Sequence, residues 1–113
     1  MIKEPITWKD FQKLDLRIGT VLSATPFKKA QKPSYQLLID LGEELGVKKT
    51  SAQLTELYDC NELVGKQVVV IVNFPPKQIA NFMSECLILG SVDGTKVSLL
   101  TPDHQVKNGL SIS

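Results

Sequence analysis

The polar residues best placed for chemistry lie between two apolar runs in the second half of the chain. Residues 68–72 are β-branched and too few for a helix, which predicts a strand buried on both faces. Asn73 ends this strand, and because Pro75 and Pro76 cannot donate to a ladder, a stiff loop follows until the next apolar run at 87–89. Rigid loops on a strand scaffold often hold binding residues. The candidates here are Asn73, Lys77, Ser84 and Glu85.

The same loop carries a set of apolar side chains. They are Phe74, Pro75, Ile79, Phe82 and Met83. Phe74, Ile79, Phe82 and Met83 are of types that are most often buried, which favours a role in the core or in a dimer interface. The alternative is an exposed groove that binds polypeptide, since a stiff surface loses little entropy on docking and methionine adapts to varied partners.

Residue patterns for catalysis and metal binding are weak. The single histidine, His104, has no second imidazole or cysteine spaced to share a zinc ion. Gly65-Lys66-Gln67 fails the phosphate-loop pattern, because position 67 is Gln instead of Ser or Thr and position 60 is Cys instead of Gly. No serine has an indicated His and Asp partner. The sequence therefore predicts a binding protein with no catalytic residue, no metal and no cofactor.

The composition indicates one ordinary soluble domain over residues 1–113. The chain is 42% hydrophobic and 22% charged, enough for a single core. Its net charge of +1 means that electrostatic binding must come from local segregation of charge. No apolar run approaches the roughly 20 residues of a membrane span, and the first residues lack a signal-peptide core. With no secretory signal, the two cysteines are expected to be reduced and the protein cytoplasmic.

A short helix is predicted near the beginning of the chain. Thr7 followed by Asp10 fits a helix N-terminus. Trp8, Phe11 and Leu14 then share one face. This face either caps the core or contacts a second copy of the chain, since Trp and Phe are enriched in interfaces.

The first predicted strand bends, and a clear second strand follows it. Apolar residues alternate up to Ile18 and then change phase at Gly19, which predicts a β-bulge at that glycine. Residues 25–34 form a loop with three lysines, which is either a solvated connector or a ligand-facing segment. Alternation over 35–41 then predicts the second strand.

The remaining elements are predicted to be a polar strand, a short helix and further strands. The lysines of the third strand, 47–52, either protect a solvated edge or face a ligand. A helical segment over 55–64 is expected to use Asp59 and Glu62 as a cap. Asp93-Gly94 predicts a two-residue hairpin turn.

This order of elements predicts an all-β fold with short helices. Strands follow at tight spacing with one helix between the third and fourth and no βαβ repeat, so a small closed barrel is the economical answer. The five-stranded OB-fold barrel has this order, here with an N-terminal helix and a C-terminal extension. In that fold, ligands bind the face of strands two and three and the adjoining loops.

Four segments of the chain resemble one protein family. They are LDLRIGTV at 14–21, DLGE at 40–43, KTSAQLT at 49–55 and, above all, 65–90 with its Asn-Phe-Pro-Pro block. These residues resemble the CsaA family, small homodimers described as export-related molecular chaperones within the wider group of tRNA-binding OB-fold domains. The resemblance covers about residues 7–101. It implies a homodimer that binds unfolded or pre-secretory polypeptides or, as the alternative, a protein that reads tRNA shape through a basic face.

The resemblance also implies which residues contact tRNA. Asn73 and Ser84 match two turns beside the family's tRNA surface, although either residue could serve only to shape its turn. With the residues near them, the expected tRNA-binding set is Arg17, Lys48, Lys49, Ser51, Asn73, Lys77, Ser84 and Glu85. Where tRNA-binding members often carry Lys, Arg and Gly, this chain has Gln78, Ala80 and Asn81. Because phosphate contacts dominate affinity, we expect weak tRNA binding.

Overall fold

The computed structural model describes residues 1–113 and confirms the predicted all-β barrel. Five antiparallel strands form the main sheet in the order β3-β2-β1-β4-β7, and two separate hairpins are β5–β6 and β8–β9. The strands are β1 (Leu16–Pro26), β2 (Tyr35–Asp40), β3 (Val47–Ala52), β4 (Gln67–Ile71), β5 (Lys77–Ile79), β6 (Phe82–Ser84), β7 (Leu87–Ile88), β8 (Gly90–Asp93) and β9 (Lys96–Leu99). The helices are α1 (Trp8–Gln12), α2 (Gly42–Leu45) and α3 (Cys60–Leu63), and none has the length and apolar character needed to cross a membrane.

The core lies on the concave side of the main sheet. It consists of 11 buried residues: Val21, Leu37, Ile39, Leu41, Leu54, Leu63, Val68, Val70, Cys86, Ile88 and Leu99. Full burial of one such aliphatic side chain contributes about 1.5–3 kcal/mol, so these positions fix which face of each strand points inward. Gly19 allows β1 and β2 to approach closely, since a Cβ there would lie 2.5 Å from Cγ2 of Ile39.

The prediction of a bulge at Gly19 is wrong. β1 pairs with β4 without interruption from Leu16 to Thr20. The irregularity falls instead between Val21 and Ser23, in the pairing of β1 with β2. The apolar phase changes at Gly19 because β1 is buried on both faces: Leu16 and Ile18 leave the strand on one side, whereas Gly19 and Val21 face the core.

The C-terminal extension is part of the barrel. Ile18 of β1 donates its N–H to the carbonyl of Leu110 at 3.0 Å and accepts from Gly109 at 2.7 Å. The side-chain amide of Gln67 on β4 donates to the carbonyl of Val106 at 2.6 Å and accepts from the N–H of Val106 at 3.0 Å. The extension therefore pairs with β1 beyond the end of β2 and is fastened from the other side by β4.

The predicted N-terminal helix forms, but it does not cap the core. Thr7 and Asp10 make the reciprocal hydrogen bonds of a capping box. No residue of α1 is buried, and Trp8 is 80% exposed. The core-capping interpretation is therefore wrong. The apolar face of α1 remains available to another surface.

Two further local predictions hold with shifted boundaries. Asp59 and Glu62 form the expected capping box, but the helix that follows is only the four residues of α3. The hairpin β8–β9 is present, although its turn residues are Gly94-Thr95 instead of Asp93-Gly94. The positive φ of 62° at Gly94 explains the shift, because glycine adopts this conformation without steric cost.

Candidate functional site

The loop predicted after Asn73 contains the hairpin β5–β6. Lys77 pairs with Ser84 and Ile79 with Phe82, so the hairpin is more ordered than the sequence predicts. Its turn contains Ala80 at a φ of 51°, a left-handed conformation that residues with a Cβ rarely adopt. A structured and locally strained hairpin therefore projects the residues that the sequence marks as candidates.

Phe82 is the contact between this hairpin and the barrel. Its ring centroid lies 5.4 Å from that of Phe27, which directly follows β1. The Nζ of Lys49 on β3 lies 5.2 Å from the Phe82 ring centroid, within the range of a cation–π interaction. Residues 27–34, which carry Lys28, Lys29 and Lys32, are called the lysine loop below. The hairpin, the lysine loop and β3 thus meet at one aromatic ring.

Ser84 and Glu85 connect the hairpin to the edge of β3 that β2 leaves free. The carboxylate of Glu85 accepts from the N–H of Lys49 at 3.0 Å, while the N–H of Glu85 donates to the Lys49 carbonyl at 2.8 Å. The hydroxyl of buried Ser84 lies 3.0 Å from that of Thr50 and accepts from the N–H of Ser51 at 3.3 Å. Ser84 and Glu85, two of the expected tRNA contacts, therefore form hydrogen bonds with backbone groups at the free edge of β3.

The thiol of Cys86 lies just inside this junction. The backbone carbonyl of Cys86 accepts a hydrogen bond from the Thr50 hydroxyl at 2.7 Å. Burial, reinforced by the nearby charge of Glu85, raises the pKa of the Cys86 thiol to about 11. The thiol is consequently neutral at pH 7 and acts as a core side chain.

The outer face of β1, β2 and β3 presents two rows of side chains. The register places Ser23, Leu38 and Lys49 in one row and Thr25, Gln36 and Ser51 in the other. These six residues are called the strand face below. Ser23, Thr25, Gln36 and Leu38 join Phe82 in lining a cavity of about 200 Å³. The side-chain hydroxyl and amide groups of the strand face take no part in the hydrogen-bond network that engages Thr20, Gln67 and Ser84.

The lysines around the strand face have no acidic partners. Only Lys13, Arg17 and His104 have a side-chain nitrogen within 4 Å of a carboxylate oxygen. Lys49, Lys77 and the lysine loop are therefore free to attract anions. Lys48 does not join them, because adjacent residues of a strand point to opposite faces and Lys48 lies on the side of Thr50.

Arg17 takes part in a separate network. Its guanidinium donates to Asp15 at 2.6 Å, to the carbonyl of Gly109 at 3.0 Å and to Glu44 at 3.4 Å. The hydrogen bond that Arg17 donates to Asp15 is the main reason why the pKa of Arg17 lies above its ordinary value. We call this arrangement the Arg17 network. It holds the C-terminal extension, and its carboxylates compete with any phosphate for the guanidinium.

Asn73 also has internal partners. Its Oδ1 accepts from the N–H of Asp15 at 2.9 Å, and its Nδ2 donates to the carbonyl of Lys13 at 2.7 Å. These bonds fasten the segment between α1 and β1 to the end of β4. The structure thus places Lys49 and Ser51 on one face of β3 and Lys77 in the hairpin, while Arg17, Asn73, Ser84 and Glu85 are engaged within the protein and Lys48 lies on another face.

The apolar residues of the loop divide by exposure. Phe74 is 48% exposed, Met83 is 39% exposed, and Pro75 is also exposed. Ile79 and Phe82 are half-buried. Burial in the core, the more common fate of such residues, therefore does not apply to Phe74 and Met83.

Sequence reasoning missed the three polar residues Ser23, Thr25 and Gln36. The alternation over 35–41 was sufficient to place Gln36 on the outer face of β2. The face of Ser23 and Thr25 could not be predicted, because the register of β1 shifts after Val21 and no glycine or proline marks this shift in the sequence.

Comparison with known proteins agrees with this geometry. Residues 16–111 match the family model described as "Putative tRNA binding domain". The fold and this match define a tRNA-binding-type OB domain. The chain is similar to the chaperone CsaA of Bacillus anthracis, with 49% identity over 97% of this chain and 100% of that one and a TM-score of 0.93. For CsaA of Picrophilus torridus the identity is 48%, the coverage 96% and 100%, and the TM-score 0.91. The chain belongs to the CsaA family.

Much larger proteins share the same segment. The methionine–tRNA ligase of Methanococcoides burtonii is 39% identical over 97% of this chain, which spans only 16% of the length of that enzyme. The chain likewise spans 14% of the methionine–tRNA ligase of Thermococcus kodakarensis and 16% of that of Archaeoglobus fulgidus. The likeness to these enzymes is therefore confined to the part that corresponds to the tRNA-binding domain.

Proposed function

We propose that this chain is a non-catalytic, homodimeric chaperone of the CsaA type that holds unfolded or pre-secretory polypeptides in the cytoplasm. The likeness to two CsaA chaperones over their whole length supports this proposal. The observation that carries it is the exposure of Phe74 and Met83 in a proline-stiffened segment whose lysine, Lys77, has no acidic partner.

Phe74, Pro75, Lys77 and Met83 together are called the apolar rim below. Apolar side chains at the rim gain free energy when a client covers them. Two prolines and the hairpin keep the rim stiff, so little conformational entropy is lost on docking. A methionine adapts to different client side chains. Because such a surface forgoes tight complementarity, we expect micromolar affinity or weaker, without any requirement for ATP.

Suppression of the aggregation of a heat-unfolded client tests this function. Phe74→Ser and Met83→Ser are expected to abolish most of the protection given by the parent at a stoichiometric amount of dimer. Val92→Ser is the matched control, since Val92 is 72% exposed but lies on β8. A parent that gives no protection would contradict the function. Equal protection by all folded variants would show that the client binds elsewhere.

The homodimer is proposed to form through α1 and the C-terminal extension. Ile6 and Trp8 are 72% and 80% exposed, and Trp8, Phe11 and Ile112 line a groove of about 310 Å³. An isologous contact buries the same groove of both copies, as in most two-fold dimers. Light scattering after size exclusion should give about twice 12.5 kDa for the parent and 12.5 kDa for Trp8→Asp, with Lys9→Ala as the dimeric control. A monomeric parent at micromolar concentration would contradict the proposal.

A second function, binding of structured RNA such as tRNA, is favoured by the unpartnered lysines of the strand face and lysine loop. Lysines contact phosphates and read the shape of A-form RNA, whose deep groove is closed to side chains. With few cations, the slope of log affinity against log salt should correspond to roughly three or four contacts. Titration of bulk tRNA in low and physiological salt should show that Lys49→Ala lowers both affinity and slope, whereas Lys48→Ala changes neither. Equal effects of the two substitutions would contradict the assignment of this face.

A further inference from the structure

The cavity beside Phe82 differs from the apolar rim in its chemistry. Besides the core residue Leu37, its lining combines two apolar side chains, Phe82 and Leu38, with the polar side chains of Ser23, Thr25 and Gln36. These five residues are called the base cleft below. The Phe82 ring is restrained by Phe27 and Lys49, so it is held ready for a partner instead of being ordered by it.

The polar groups of the base cleft suit the edge of a nucleobase. The amide of Gln36 offers donors and an acceptor together, and the two hydroxyls can act as either. Unpaired RNA bases are recognised in this way, by hydrogen bonds to their edges and by stacking of their faces on aromatic rings. Gln36 and Phe82 supply both kinds of contact within one cavity.

Size and charge indicate what enters the base cleft. Its volume of about 200 Å³ is below the roughly 300–1,000 Å³ of drug-sized pockets, which suits one planar group. Lys49 contacts the Phe82 ring, Lys77 lies in the same hairpin, and the lysine loop begins at Phe27. The carboxylate nearest in sequence to the hairpin, that of Glu85, accepts from the backbone of β3. A cleft with an uncharged lining and a cationic surround favours a base that is attached to phosphates.

We infer that the base cleft binds one unpaired base of RNA, an inference that rests on the RNA-binding function proposed above. The lysines bind the flanking phosphates, Phe82 stacks on the base, and Gln36 bonds to its edge. Bases in an A-form duplex are stacked and paired, so they cannot enter the cleft. Single strands and loops are therefore preferred over duplex of equal length.

Fluorescence anisotropy with two labelled probes tests this inference. The probes are a single-stranded oligoribonucleotide of about eight nucleotides, within the site size of an OB-fold, and a blunt duplex of the same length. Phe82→Leu and Gln36→Ala should each weaken binding of the single strand by about tenfold and leave binding of the duplex nearly unchanged. Gln105→Ala, an exposed glutamine of the C-terminal extension, should bind both probes like the parent.

Several results would overturn the inference. If the parent binds RNA and neither substitution matters, the base cleft is not the site, although RNA binding through the lysines stands. If the parent binds neither probe, RNA binding and the base cleft both fail. If Gln36→Ala instead weakens binding of an extended peptide and leaves the single strand unaffected, the occupant is polypeptide. Gln36→Ala removes no packed ring, so the test survives even if Phe82→Leu fails to fold.

Discussion

The two ends of β1 use polar side chains in opposite ways. Near Leu16, Arg17 and the residues around it bond to one another and to the C-terminal extension. Near Pro26, the polar side chains of the strand face and the lysines beside it have no such partners. Satisfied polar groups hold buried or half-buried segments together. Polar groups at a surface that have no protein partner remain available to a ligand, so the first end stabilises the barrel and the second is the proposed binding surface.

The same substitution at the two ends should give the largest difference in stability. Gln67 is buried, and its amide satisfies both backbone groups of Val106. Gln67→Ala should therefore lower the free energy of unfolding by about 2–3 kcal/mol, because those groups lose their partners. Gln36→Ala should change it by less than about 0.5 kcal/mol. Urea unfolding measures both, and equal losses would break the comparison.

Ser84 lies at the junction and distinguishes support from ligand contact. Ser84→Ala leaves the N–H of Ser51 without its acceptor and should cost about 1–2 kcal/mol in thermal or urea unfolding. The affinity of the folded variant for tRNA should fall only as far as a loosened hairpin weakens the contacts made by other residues. A large loss of affinity with unchanged stability would instead make Ser84 a direct contact, as the family resemblance implies.

Ala80 should be a source of local strain that glycine relieves. Its φ of 51° costs an L-residue about 1–2 kcal/mol, whereas glycine adopts it freely but loses more entropy on folding. Ala80→Gly should therefore stabilise the protein by about 0.5 kcal/mol, seen as a small rise in Tm. Asn81→Gly, at the neighbouring turn residue, serves as the control. A lower Tm for Ala80→Gly would contradict the strain.

The two thiols should differ in reactivity. Ionisation of the Cys86 thiol should have almost no effect on stability at neutral pH, where the thiol is protonated. Cys60 is half-buried, whereas Cys86 is buried and has a pKa of about 11. A disulfide reagent at pH 8 should therefore modify Cys60 first. Because the folded state holds the Cys86 proton more tightly than the unfolded chain does, this thiol stabilises the fold less as pH rises from about 9 to 11. Cys86→Ala should remove that part of the alkaline loss, and faster reaction of Cys86 would contradict its burial.

Local signals in the sequence predicted the barrel well. The β-branched run that becomes β4 and the alternation that becomes β2 depend only on neighbouring residues. The capping boxes at Thr7 and Asp59 are equally local. Long-range pairing was not predictable, since nothing near Gly109 indicates that it pairs with Ile18.

The sequence indicates the proposed binding surface only where strand parity decides which face a residue occupies. Lys49 and Ser51 share a face and were both expected, but Lys48 was grouped with them although it lies on the other face. The family resemblance places Arg17 among the tRNA contacts. The sequence does not reveal its internal partners, Asp15, Glu44 and Gly109, because they come together only in the folded chain.

A chemical-shift titration of the ¹⁵N-labelled protein tests the division between the two ends most directly. The probes are bulk tRNA and, separately, an extended peptide of apolar and basic residues. Shifts are expected to concentrate in the strand face, the lysine loop and the hairpin β5–β6, with Gln67 and Gly109 undisturbed. Shifts concentrated at Arg17 and along residues 106–112, with a silent strand face, would contradict it.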